Sequence, residues 1–425
     1  MSYERYDPHV DIPFDVLTRE AVDKLIAVIM IATLLFNAVL AAVNAHVTAV
    51  TNGEVIAAEL LIFFCSALLL ALTLAPHDRP WLALMFLLIG MGLVVSLFRD
   101  ELVAKNIRDV LSIPVFVMLG LRYSSSPVSL FSKLQFIVVF FALLEVANPD
   151  LFSDIFDVRS YYINSRNFTA DDFWNSDSSL FVSATRPGER FFSFVDIHRV
   201  SSIFLEPVSL GNYVCIMVIL LICFWSTLSL IMRTWLVVST VSLLVACDGR
   251  FATVTSALIL LCVPLASKLP SRAAVFYLPT IVILGAIGVY AFHPDPLSDD
   301  FGGRVAKTME LAGNLNFYDV LGMAEWSQIN DNLDSGLTYL IVTQTALGGG
   351  FVWLFTTLVA SDHVPDMEIR LRIRRATHAV AIFIGLNLLV SYSLFSIKSA
   401  AFLWFLYGAA IKPMAEDDMT GDLAS

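Results

Sequence analysis

Charged side chains are scarce in this chain: Asp, Glu, Lys and Arg supply 15% of its 425 residues, where an ordinary soluble domain carries about 25%. With 57% of the residues apolar, too few polar groups remain to cover a water-facing surface, which excludes a water-soluble enzyme. Basic residues are the scarcer sign, 26 against 38 acids for a formal net charge of −12. That balance argues against a nucleic-acid partner, because phosphate chains are bound by clustered Lys and Arg. Five cysteines, Cys65, Cys215, Cys223, Cys247 and Cys262, all lie within apolar runs. Neither a disulfide framework nor a Cys-x-x-Cys metal pair can be read from them, and they are expected as small core residues. No Walker or Gly-x-Gly-x-x-Gly loop follows a strand-like run, and the loops on the expected inner side are too short for a nucleotide-binding domain. An ATP-driven pump or a synthase fed by nucleotide sugars is therefore disfavoured. Period-2 alternation with regular turns is missing as well, so no β-barrel is expected.

Long apolar runs are what the chain has. They cover 25–45, 55–75, 81–98, 110–121, 134–147, 208–226, 234–247, 251–266, 273–292, 337–360, 376–390 and 400–411. At about 20 residues per crossing, these predict an all-α, polytopic membrane protein with about twelve (ten to twelve) transmembrane helices. Several runs are shorter than a bilayer is thick and must extend into flanking polar residues. The acidic stretch 1–24 precedes the first run, the wrong order for a cleavable signal peptide, so the first helix is expected to be retained. The run RLRIRR at 370–375 sets the orientation, since short basic loops stay in the cytoplasm. The expected organisation is a cytoplasmic segment 1–24, helices in 25–147, a first outer segment 148–207, central helices in 208–292, a second outer segment 293–335, C-terminal helices in 336–412 and an acidic cytoplasmic tail 413–425. RDELVAKNIRD at 99–109, with three bases on the outer side, is expected as an interfacial helix.

The first outer segment mixes Arg159, Arg166, Arg186, Arg190 and Arg199 with many aromatics, a composition suited to sugar rings and phosphate and equally to plain anchoring at the membrane surface. The second holds eight acids against Arg304 and Lys307, with helical spacing over 304–311 and 317–329. Three places set a charge at the mouth of an apolar run. In HRVSSIFLEP, Arg199 precedes a helix whose start carries Glu206 and Pro207, where Pro suits the first turn and Glu meets the positive dipole end. In CDGRF, Asp248 and Arg250 flank a tight Gly turn, where a local pair is an adequate structural account. In DNLDSG, Asp334 or Ser335 would cap a helix starting at Gly336.

It is the order of these pieces that carries a family signal. RVSSIFLEP at 199–207, DGRFATVTSAL at 248–258, GGRV at 302–305 and DNLDSGLTYLIVTQTALGGG at 331–350 together resemble the O-antigen polymerase and ligase superfamily over roughly residues 199–350. The resemblance implies a GT-C-like membrane glycosyltransferase of the bacterial inner membrane, with its active site facing the periplasm. It implies an inverting, metal-independent transfer without cofactor. The donor would be a glycan on undecaprenyl diphosphate, and the acceptor a sugar hydroxyl on a second lipid-linked repeat unit or on lipid A core. A chain-length regulator would be a partner. Carried over position by position, Arg199, Arg250 and Arg304 hold the diphosphate, a role suited to the forked and permanently charged guanidinium. Ligases of the superfamily carry a His near the end of the large outer loop, where this chain reads DNLDSG and has its only loop His, His293, at the far start. The departure favours polymerase over ligase, with Asp334 and then Glu206 as candidate bases for the acceptor hydroxyl.

Two non-enzymatic alternatives share the hydropathy. A secondary transporter would show repeated halves and broken helices at matched positions, and no internal repeat is evident. A flippase for the same lipid would line its cavity with cations, whereas intramembrane charges are scarce apart from Glu145, Glu206 and Lys398.

Overall fold

The computed structural model describes residues 17–99, 104–166, 168–175, 178–185, 190–298, 300–323 and 335–412. Among the described residues, every regular element is helical. Helices α1 (Arg19–His46), α2 (Asn52–Leu72), α3 (Arg79–Arg99), α4 (Ala104–Arg122) and α5 (Pro127–Ala147) come first, followed by the short α6 (Pro149–Phe156) and α7 (Val158–Arg166). After an irregular stretch come α8 (Pro207–Phe224), α9 (Leu230–Cys247), α10 (Arg250–Ala266) and α11 (Tyr277–Phe292). The short α12 (Phe301–Asn314) and α13 (Phe317–Val320) precede α14 (Gly336–Leu358), α15 (Met367–Leu388) and α16 (Ile397–Ile411). Every apolar run of the sequence falls within or across one of these helices. Eight of them are long and apolar enough to cross a membrane, and α10 and α16 are shorter apolar helices. The chain is thus an all-helical protein of membrane-spanning type.

The helices begin where the sequence supplies caps. Thr18 accepts the amide of Ala21, Asp366 that of Ile369 and Ser335 that of Thr338, while Pro127 and Pro207 open α5 and α8, where a missing N–H costs nothing. Of the stretch 99–109, expected as a separate interfacial helix, residues 100–103 lie outside the described residues and 104–109 depart from that expectation. Lys105, Arg108 and Asp109 belong to α4 itself, and Arg108 pairs with Glu59 of α2 and, at 2.7 Å, with its neighbour Asp109. Burial of a mutually neutralising group lets the helix continue through these charges.

Helix α16 is buried on every side, and α8 nearly so, as expected of helices apolar all round. Helix α11, equally apolar, buries none of its residues. Phe64, Phe86, Leu97, Ile231, Leu261 and Phe292 likewise stand more than half exposed on the outer helices. An apolar perimeter of this kind is a lipid-facing surface. At the centre, α4 and α16 meet through glycines. A Cβ at Gly120 would overlap the carbonyl of Phe405, and one at Gly408 that of Val117, the small-residue contact that lets helices in lipid approach closely.

The two ends of the bundle differ. At one, Arg372 donates to the carbonyls of Ala410 and Lys412, Arg375 to that of Ile222, and Arg374 pairs with Asp362. The other end carries α6, α7, α12 and the segment 190–206. Helix α14 is broken on the way: Thr345 has φ 64° and ψ 162°, a region that β-branched residues avoid. Arg99 donates to the carbonyl of Val342 before the break, and the Thr345 hydroxyl accepts the amide of Gly348 after it. Both half-helix ends are thereby capped.

Candidate functional site

The segment leading into α8 is tied down from two sides. Glu145, a fully buried residue near the end of α5, accepts the Ser201 amide at 3.0–3.1 Å, the Ser201 hydroxyl at 3.0 Å and the Ser202 amide at 2.6 Å. These bonds hold Ser202 and Leu205 at positive φ, 52° and 61°, and turn the chain into Pro207. From the other side, Arg190 donates to the carbonyls of Ile197 and His198 and to those of Val245 and Ala246 at the end of α9. A cation at a helix C-terminus meets the negative end of its dipole. Asp248 accepts the amides of Phe191 and Phe192 at 3.2 and 3.0 Å.

These ties build a cavity of about 660 Å³ lined by Arg190, Arg199, Arg250 and Arg304. Arg199 donates to the carbonyls of Cys247 and Ser183, each at 3.3 Å, and Arg304 to that of Val390 at 3.3 Å. The N-terminal ends of three helices open onto the same space: Val208 and Gly211 of α8, Phe251 and Ala252 of α10, and Phe301 of α12. Gly211 and Gly249 let α8 and α10 start side by side, since a Cβ at either would press on Ala252 at 3.2 or 3.1 Å. Three carboxylates line the cavity, Asp196, Asp248 and Asp300. Asp248 is engaged by backbone amides, and Asp300 caps α12 through the Gly303 amide at 2.8 Å, a bond that holds its carboxyl below the usual range. Four guanidiniums and three positive helix ends outnumber these three acids, an arrangement that favours an anion in the cavity.

An apolar groove of about 820 Å³ runs along α10, α11, α12 and α15, lined by Leu258, Ile281, Leu284, Val289, Val305 and Leu389 among others. Phe301 borders both spaces, so the charged cavity and the apolar groove are neighbours.

The three arginines singled out in the sequence, Arg199, Arg250 and Arg304, therefore line one cavity. Glu206 does not line it. Its carboxylate lies 2.7 Å from Lys398 and accepts the Tyr162 and Ser209 hydroxyls at 2.6 and 2.7 Å. Burial opposes its ionisation, yet Lys398 and Arg166, with the bonds from Lys398 and Tyr162, outweigh that and hold it at about 2. Asp334, like Arg186, lies outside the described residues. The sequence marks Arg190 only as one of five arginines of the first outer segment and does not mark His198, yet both line the cavity. His198 is signalled only by its place beside Arg199 and by a carboxylate, Glu145, inside an otherwise apolar run. Among the described residues, no three of His, Cys, Asp and Glu converge as a metal site. Comparison with known protein families, curated proteins and solved structures finds no match to this chain.

Proposed function

We propose that this protein is a polysaccharide polymerase of the O-antigen polymerase and ligase superfamily. In this reading a GT-C-like bundle of about twelve transmembrane helices joins undecaprenyl-diphosphate-linked oligosaccharide repeat units at the periplasmic face of the bacterial inner membrane. The observation that carries the reading is the meeting of Arg199, Arg250 and Arg304, drawn from three separate stretches of chain, at the mouths of three helices. Guanidiniums and helix dipoles placed where a diphosphate leaves would stabilise the charge that develops on it, the largest electrostatic contribution available to such a transfer. The adjoining apolar groove gives an isoprenoid chain a place beside its head group. The arginine-rich run 370–375 at the opposite end of the bundle supports an outward-facing cavity.

The test is deletion of the gene followed by analysis of lipid-linked intermediates. Single repeat units should accumulate with no polymer, and Arg199→Ala, Arg250→Ala or Arg304→Ala should reproduce that state at normal protein levels. Normal polymer from all three variants would overturn the reading. A second reading, movement of a lipid-linked or small solute, is favoured by two observations: the broken α14, a device found in transporters, and the half-buried Arg108 and buried Lys398. For a small solute it predicts loss of uptake with unaltered polymer, and for a lipid-linked solute retention of the repeat units on the inner leaflet.

A further inference from the structure

Resting on the reading of the cavity as a diphosphate site for glycosyl transfer, we infer that His198, oriented by Glu145, is the base that deprotonates the acceptor hydroxyl. His198 lines the arginine cavity and retains 19% side-chain exposure, while Glu145 behind it is fully buried. Its Nε2 lies 3.2 Å from Glu145 Oε1. Both oxygens of that carboxylate already accept N–H groups from Ser201 or Ser202, so the ring nitrogen facing them is the donor. The tautomer assigned by these partners leaves Nδ1 as the lone pair of the ring, the arrangement in which a carboxylate orients an imidazole for proton abstraction. The ring is fixed from its backbone side as well, because its carbonyl accepts Arg190 Nη1 at 2.9 Å.

The other cavity groups are less suited to the task. The guanidiniums stay protonated, Asp248 is occupied by two amides, Asp300 caps α12, and Asp196 stands exposed, with no group among the described residues that orients it as Glu145 orients His198. In the inferred step, the acceptor oxygen forms its bond to the anomeric carbon of the donor as the bond from that carbon to the phosphate oxygen breaks. The bonding pair leaves with the diphosphate, whose charge the arginines take up. The hydroxyl proton passes to Nδ1 and then to solvent, restoring the neutral ring.

The experiment uses the full chain in lipid nanodiscs, with lipid-linked repeat units for elongation and undecaprenyl diphosphate as the binding probe. His198→Gln keeps a donor for Glu145 and removes the base. Its elongation rate should fall about 10²–10⁴-fold, with binding of the probe unchanged within about twofold. His198→Ala should recover part of its rate when imidazole is added. Full elongation by His198→Gln, or parallel loss of binding and rate without rescue by imidazole, would overturn the inference while leaving the diphosphate site intact. A wild-type chain that binds the probe but elongates nothing would instead overturn the polymerase reading, and this inference with it.

Discussion

Glu206 and Lys398 form a pair that neither partner tolerates losing. Lys398 is 3% exposed within α16, and its ammonium lies 2.7 Å from Glu206. Removing the carboxylate leaves a buried cation unpaired, at a cost of about 3–5 kcal/mol. Glu206→Gln should therefore lower the melting temperature of the detergent-solubilised protein sharply, and the double variant Glu206→Gln with Lys398→Met should recover most of the loss. Because the Glu206 carboxyl is held at about 2 against an ordinary 4.5, its contribution is present above about pH 4.5 and fades as pH falls towards 2. Melting temperatures followed over that interval should drop more steeply for the wild type than for the double variant. The same pair shows what a linear reading can and cannot find. Glu206 was legible as a charge beside a proline at a helix start, but its partner lies in the last helix, and nothing local distinguishes an ion-paired carboxylate from a base. Arg199, Arg250 and Arg304 were legible because each sits in a short local pattern. His198 was not, since what gives it a candidate role is a carboxylate 53 positions away.

Helices were more legible than their irregularities. Apolar runs locate every long helix because burial in lipid or in the bundle demands them, yet α4 begins well before its apolar run, since Arg108 carries its counter-charges with it. The contact between α4 and α16 offers a sharp test. Gly120→Val would place its side chain against the backbone of α16, and overpacking of this kind costs about 1–3 kcal/mol. A lowered melting temperature is expected, whereas Gly90→Val on α3, where a Cβ meets nothing within 4 Å, should leave it unchanged. The break in α14 was not legible either. Three consecutive glycines at 348–350 draw the eye, but the irregular residue is Thr345, set by Arg99 reaching in from α3. Thr345→Gly removes the strained φ along with the cap and should be tolerated, whereas Thr345→Val keeps the strain and loses the hydroxyl that receives Gly348. The valine variant should melt lower by the equivalent of about 1 kcal/mol, the usual worth of such a cap.

Taken whole, the molecule separates its charges along the bundle. Arginines of 370–375 gather at one end, and the described parts of both long polar segments lie at the other, an arrangement that biases insertion strongly. On the proposed inner-membrane topology, in a variant cleared of its native cysteines, Trp174→Cys and Phe194→Cys should react with a membrane-impermeant maleimide in spheroplasts, and Ser226→Cys only after lysis. Reaction at 226 in intact spheroplasts would reverse the orientation. What no single stretch of sequence announces is the cavity as a whole, because its walls come from residues as far apart as Asn175 and Ser393.

That separation has a consequence in time. The cavity wall formed by Val390, Ser391 and Ser393 belongs to the turn between the last two helices, and Ser393 braces the start of α8 through its 2.9 Å bond to Asn212. During synthesis, the arginines at 190, 199, 250 and 304 emerge long before this turn does. A nascent chain thus carries all four arginines with one wall of the cavity still missing while residues 305–393 are added, and the cavity acquires its final shape only when the closing hairpin docks. The complete cavity is a property of the finished molecule alone.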